Sequence, residues 1–139
     1  MDSESSSERA LPEATETPAD SGFYAQDVDF RSGINGAQAP LWMALTAAVG
    51  GYSPPDLERP FTYGDLGCGD GTTVNALAEL YPHAEFVGVD FNAGHIRTAR
   101  ETAAACELTN VRFVEASFAD LGAADLPTFD LIAMNGIYA

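Results

Sequence analysis

The sequence contains no lysine. All six of its basic residues are arginine, against 21 acidic residues, and the formal net charge is −15. A surface this acidic repels the phosphate backbone of nucleic acids and the anionic face of a membrane, so we expect neither as a partner. The absence of lysine also excludes the Walker phosphate loop, which needs that side chain to reach the bound phosphates.

Cysteine and long apolar runs are scarce as well. The two cysteines, Cys68 and Cys106, form no metal-ligand or disulfide pattern. No stretch approaches the roughly 20 apolar residues of a membrane-spanning helix. A secretory signal has an apolar segment behind a basic one, and the first residues of this sequence do not show that pattern. We therefore expect a reduced, cytoplasmic setting.

Composition divides the chain into three regions. Residues 1–21 are rich in Ser, Thr, Glu, Asp and Pro and have little apolar surface to bury, which predicts a disordered acidic tail. Residues 22–60 predict an N-terminal helical cap and linker, in which Pro40 and Gly50 delimit a helix. Four apolar residues share one face of that helix: Leu41, Leu45, Ala48 and Val49. Residues 61–139 form the third region.

The third region alternates strand and helix patterns. Four β-like runs predict strands at residues 61–66, 85–90, 111–115 and 129–134. The first helical stripe comprises Val74, Leu77, Ala78 and Tyr81, and the second comprises Ile96, Ala99, Ala103 and Cys106. This alternation predicts an α/β fold, a Rossmann-like doubly wound parallel sheet with right-handed crossovers.

A glycine-rich stretch, "GDLGCGDGTT", joins the first predicted strand to the helix after it. Glycine occupies every second position, at Gly67, Gly69 and Gly71. Ligands bind at this edge of open α/β sheets, glycine permits close approach, and the amides of a helix N-terminus favour an anion or carboxylate. A tight turn without a ligand is the alternative, but it does not require three alternating glycines.

Two cofactor classes compete for this loop. A nicotinamide or flavin dinucleotide requires the pattern G-x-G-x-x-G, in which the third glycine would stand at Thr72. Here the third glycine comes one position early, at Gly71. An oxidoreductase of the NAD(P)-binding type therefore remains as the alternative hypothesis.

The loop resembles motif I of the class I methyltransferases, [DE]-x-G-x-G-x-G. Four residues match that motif: Asp65, Gly67, Gly69 and Gly71. The resemblance implies that S-adenosylmethionine is the cofactor and that the loop, including Cys68, wraps its methionine part.

The second predicted strand ends in Asp90, about 20 residues after the loop. A carboxylate there can accept two hydrogen bonds from a vicinal diol, although an aspartate in this position can also serve as a helix cap. The resemblance implies that Asp90 binds both ribose hydroxyls and that Phe91 lies against the adenine.

The resemblance extends to the ends of the last two predicted strands. Ser117 stands where many relatives carry an aspartate near the adenine amino group, and Phe118 is expected to pack on the ring. Asp120 is an alternative source of that acid. Asn135 and Tyr138 are candidates to border the methyl-transfer site, and ordinary packing at a strand end is the alternative for both.

Residues 23–139 as a whole resemble a bacterial methyltransferase family whose members often carry a methyltransferase regulatory region; one branch is similar to protein lysine methyltransferases. The class I sheet has seven strands in the order 3-2-1-4-5-7-6, of which this chain supplies 3-2-1-4. We therefore expect the cofactor-binding part of a longer enzyme, whose missing C-terminal half is its partner and whose methyl acceptor is a protein side chain or small molecule. Catalysis by this chain alone should be weak or absent. A noncatalytic cofactor-binding remnant is a further alternative.

Overall fold

The computed structural model describes residues 33–137. The predicted tail, the start of the predicted cap, and Tyr138 lie outside these residues. The α-helices are α1 (Pro40–Val49), α2 (Thr72–Leu80) and α3 (Ala93–Ala105). The strands are β1 (Thr62–Leu66), β2 (Glu85–Asp90), β3 (Val111–Glu115) and β4 (Leu131–Met134). Two short 3-10 turns span Gly36–Gln38 and Leu121–Ala123.

The four strands form one parallel sheet in the order β3-β2-β1-β4. Strand β1 is central: Asp65 pairs with Gly88 of β2 on one side and with Ala133 of β4 on the other. This order confirms the predicted fold class. Because all strands run the same way, the segments that follow β1, β2, β3 and β4 emerge at one edge of the sheet.

One face of the sheet carries the main hydrophobic core. The rings of Tyr63 and Phe86, which pair across β1 and β2, lie 5.2 Å apart between centroids. The predicted stripe of α2 packs against this face, with Val74, Leu77 and Ala78 buried. On α3, the buried residues are Ile96, Ala99 and Ala103.

Cys106 corrects the predicted stripe of α3, because its side chain is exposed. The helix ends at Ala105 and Cys106 is its C-cap, so the residue has left the helical path that would have carried it inward. At the other end of α3, Asn92 accepts hydrogen bonds from the backbone N–H groups of Gly94 and His95 and so caps the helix, as Asn residues commonly do.

Helix α1 begins at Pro40 and is followed by Gly50, as predicted. Its four predicted face residues, Leu41, Leu45, Ala48 and Val49, are all exposed within the described part of the chain. Pro40 and Ala44 are the buried positions of this helix. They lie about one helical turn apart and so share the face that packs against the rest of the domain. Between residues 33 and 137, none of the helices is both long and apolar enough to cross a membrane.

Candidate functional site

The glycine loop turns sharply between β1 and α2. All three glycines have positive φ: 85° at Gly67, 56° at Gly69 and 74° at Gly71. The loop is tied to the neighbouring strand, since the amides of Gly67 and Cys68 both donate to the carbonyl of Val89, at 2.7 and 3.0 Å. The backbone path therefore requires residues that tolerate the left-handed region.

The three glycines differ in what surrounds them. A Cβ at Gly71 would lie 2.6 Å from Cβ of Ala99, and one at Gly67 would lie 2.5 Å from Cγ2 of Ile137. A Cβ at Gly69 would meet nothing within 4 Å. Packing within the protein thus explains why glycine stands at positions 67 and 71, whereas Gly69 borders open space that a ligand can enter.

Asp90 stands beside that open space with its carboxylate fixed by the backbone. The amide of Gly69 donates to Oδ2 and the amide of Asn92 donates to Oδ1, each at 2.9 Å. Each oxygen retains acceptor capacity, because a carboxylate has about four lone-pair sites. The arrangement can therefore receive two further donors, such as the hydroxyls of a vicinal diol.

Cys68 packs against β2 from inside the loop. Its Sγ would lie 2.9 Å from a Cβ at Gly88, so glycine at that position makes room for the thiol. Burial raises the pKa of the Cys68 thiol, and the nearby carboxylates of Asp65 and Asp90 raise it further. The thiol therefore stays protonated at neutral pH and serves packing, since the thiolate is the nucleophilic form.

Asp65 lies at the end of β1, and its side chain is only 2% exposed. Oδ1 accepts a hydrogen bond from Nε2 of Gln38 at 3.1 Å. Burial raises the pKa of Asp65 from 3.8 to about 7; the bond from Gln38 lowers it and the charge of Asp90 raises it. Desolvation dominates because it disfavours the charged form of an acid.

The segment before α1 is hydrogen-bonded to the start of α2 and to β1. The amide of Asn35 donates to Oγ1 of Thr73 at 3.0 Å, and that hydroxyl donates to the carbonyl of Gly33 at 3.2 Å. The hydroxyl of Tyr63 donates to the carbonyl of Gln38 at 2.9 Å. These contacts were not among the features predicted from the sequence. The Asn35-Gly36 pair signals a turn, but it gives no indication of what that turn packs against.

The segment after β3 is joined to the end of β2. The amide of Ala116 donates to the carbonyl of Asp90 at 3.0 Å. Next along the chain, Oγ of Ser117 donates to Oδ2 of Asp120 at 2.6 Å. The two candidates for a polar contact to adenine therefore form one pair, while the side chain of Phe118 is half-buried beside them. Phe91, the other adenine candidate, is also half-buried.

The end of β4 reaches the same edge. The side chain of Ile137 lies close to Gly67, since its Cγ2 would be 2.5 Å from a Cβ placed on that glycine. Asn135 is exposed and borders a cavity of about 260 Å³. The full lining of that cavity is Asn35, Ala37, Gln38, Met43, Ile132, Ala133, Met134 and Asn135. The structure thus gathers the ends of all four strands around the loop; Tyr138 lies beyond the described residues.

A family model described as a methyltransferase domain matches residues 60–139. The chain is 40% identical over 116 residues to the uncharacterized protein sll1526 of Synechocystis, covering 84% of this chain and 23% of the relative. It is 34% identical over 79 residues to a trans-aconitate 2-methyltransferase of Rhodopseudomonas palustris, covering 57% of this chain and 28% of that enzyme.

Among solved structures, the chain resembles PKMT2 from Rickettsia typhi in complex with AdoHcy. The TM-score is 0.72 at 27% identity, over 79% of this chain and 21% of that one. The chain therefore spans about a quarter of the length of these relatives. The relatives whose names state an activity are methyltransferases, so the dinucleotide hypothesis gains no support from them. The matched domain and the glycine loop agree: the chain belongs to the class I, S-adenosylmethionine-dependent methyltransferases.

Proposed function

We propose that this chain forms the S-adenosylmethionine-binding part of an enzyme that methylates a protein side chain or a small molecule. The observation that carries the proposal is the carboxylate of Asp90, held by the amides of Gly69 and Asn92 beside the open space at Gly69. A carboxylate oriented in advance binds a diol without having to reorganise.

The other residues of the edge fit the rest of such a cofactor. The loop from Gly67 to Gly71 offers backbone approach to the methionine part, with the acidic Asp65 at its base for the cationic amino group. The ring of Phe118 is suited to stack on adenine. The neighbouring pair Ser117 and Asp120 is suited to form hydrogen bonds with it. When bound, the cofactor supplies a methyl group activated by a sulfonium; the residues of the chain align the partners and exclude water.

The cavity beside Asn135 is suited to an uncharged polar methyl acceptor. Its lining combines Asn35, Gln38 and Asn135 with apolar residues, and none of these described lining residues is charged. An acceptor with several carboxylates would find no cationic partner in this set. Side-chain amides donate as well as accept hydrogen bonds, so they can pair with a neutral polar group.

Isothermal titration of the full 139-residue chain tests the cofactor proposal. AdoHcy and NAD form a matched ligand pair, because both carry adenosine and only one carries the amino-acid part. We expect measurable binding of AdoHcy and much weaker or no binding of NAD. Tighter binding of NAD, or no binding of AdoHcy, would refute the proposal.

A further inference from the structure

One contact at the base of the glycine loop comes from outside the sequence motif. Gln38, in the 3-10 turn before α1, donates from Nε2 to Oδ1 of Asp65 at 3.1 Å. Both side chains are buried, with 9% and 2% exposed. A hydrogen bond to a buried carboxylate is among the stronger ones, because the charge and the low dielectric both strengthen it.

The backbone holds Gln38 in place from two directions. Its carbonyl accepts the hydroxyl of Tyr63 at 2.9 Å, and its amide donates to the carbonyl of Asn35 at 3.1 Å. Asn35 is in turn fixed to α2, because its own amide donates to the hydroxyl of Thr73. The side-chain amide of Gln38 is thus delivered to Asp65 by a segment anchored on β1 and α2.

We propose that Gln38 is a positioning residue for cofactor binding, which holds one oxygen of Asp65 so that the other is presented to the cationic amino group of the methionine part. The inference rests on the proposed function, since it assigns a positioning residue to the same cofactor site. It concerns a residue of the N-terminal segment that the glycine motif does not include.

The surroundings of Asp65 make this contact consequential. From β2, the charge of Asp90 disfavours the ionised form of Asp65. From β1 and the loop, Tyr63 and Cys68 have raised pKa values and remain neutral at neutral pH. Gln38 is the neighbour that lowers the pKa of Asp65. Its removal should therefore leave a larger protonated fraction near pH 7.

The test compares AdoHcy affinity from pH 5.5 to 9 in the full chain and in Gln38→Met, which keeps a similar length but lacks the donor. In the wild type, affinity should rise as pH passes about 7. In Gln38→Met, that midpoint should move to a higher pH, because the bond from Gln38 lowers the pKa of Asp65, so a smaller fraction of Asp65 is ionised at pH 7. An unchanged midpoint would overturn the inference.

Thr46→Val is the control, because it removes an exposed hydroxyl bond to the carbonyl of Trp42 in the same N-terminal part of the chain and touches neither Gln38 nor Asp65. It should leave the midpoint in place; an equal shift would show that the midpoint responds to any change in the N-terminal segment and would overturn the role of Gln38. If Gln38→Met does not fold, Gln38→Asn provides the same test with a side chain too short to reach.

A second readout separates this inference from the cofactor assignment. The carboxyl carbon of Asp65 can be titrated by carbon-13 NMR without ligand and identified by the signal lost in Asp65→Asn. We expect a higher midpoint in Gln38→Met than in the wild type. An equal midpoint would overturn the role of Gln38 even if AdoHcy binds. A higher midpoint in a chain that binds no AdoHcy would instead refute the proposed function, and the role in cofactor binding with it.

Discussion

The amide of Gly69 donates a hydrogen bond of 2.9 Å to Oδ2 of Asp90, across 21 positions of sequence. This bond joins the glycine loop to the acid at the end of β2. Because the amides of Gly67 and Cys68 are also bound to β2, the loop and the acid keep a fixed relative position. A ligand that spans both features therefore meets them already arranged.

Asp90→Asn should weaken AdoHcy binding by about 10- to 100-fold, since hydrogen bonds to a charged group contribute roughly 1.5–3 kcal/mol. The variant loses the charge, and its amide group opposes one of the two backbone donors. Titration calorimetry measures the effect. Glu101→Gln, which removes one charge from an exposed position of α3, is the control and should bind like the wild type. Equal affinities in the two variants would contradict the assignment of Asp90.

Gly69→Ala and Gly71→Ala should differ in stability although both glycines have positive φ. At Gly69 only the left-handed backbone is strained, a cost of roughly 1–2 kcal/mol. At Gly71 the new Cβ also overlaps Ala99 and the ring of Phe113, which adds roughly 1–3 kcal/mol. Urea denaturation measures the free energy of unfolding. A Gly69→Ala variant as destabilised as Gly71→Ala would show that the space at Gly69 is not open.

The free energy of unfolding should fall as pH rises from about 4 to about 7, through the titration of Asp65. The pKa of this acid is 3.8 in its ordinary state and about 7 in the folded chain, so only the folded chain keeps the proton within that window. This decrease in the free energy of unfolding is complete above pH 7 and reaches up to roughly 4 kcal/mol. Urea denaturation of wild type and Asp65→Asn at several pH values isolates this contribution. A difference between them that does not vary with pH would contradict the raised pKa.

Asn110→Asp should be strongly destabilising despite the nearly identical shape of the two side chains. Nδ2 of Asn110 donates to three carbonyls, of Ala78, Tyr81 and Ala84, at 3.0–3.1 Å. A carboxylate would set negative charge against all three and cost about 3 kcal/mol or more. Asn110→Ala, which removes the donor and adds no charge, should cost less. Thermal or urea unfolding gives the ranking, and equal stability of Asn110→Asp and wild type would contradict it.

Local patterns were sufficient to predict the sheet, its strands and the edge that holds the loop. The reason is that hydrophobic periodicity and turn residues act over a few positions, and here they agree with the global fold. The outward face of α1 shows the limit: Leu41, Leu45, Ala48 and Val49 form an apolar face, yet Pro40 and Ala44 are the buried positions. Periodicity identifies a face but does not indicate what covers it.

The contacts of Gln38 and Ile137 could not be predicted for a different reason. Gln38 reaches Asp65 across 27 positions, and Ile137 approaches Gly67 from the far end of β4. Neither residue belongs to a recognisable motif, and both act through the way separate segments pack. The prediction that Cys106 faces inward was wrong for another reason. The position of this residue depends on where α3 ends, and helix boundaries vary by one or two residues.

The parallel arrangement of the sheet determines when this site comes into being during folding. None of the strand pairs between residues 33 and 137 can close as a hairpin, and the bond from the amide of Thr62 to Asp130 joins residues 68 positions apart. Contacts this distant in sequence carry a loop-closure cost that slows folding. The bonds that hold the loop run to Val89 and Asp90, so they exist only once β1 and β2 have paired. An isolated peptide of residues 61–73 would therefore carry the motif and lack the site.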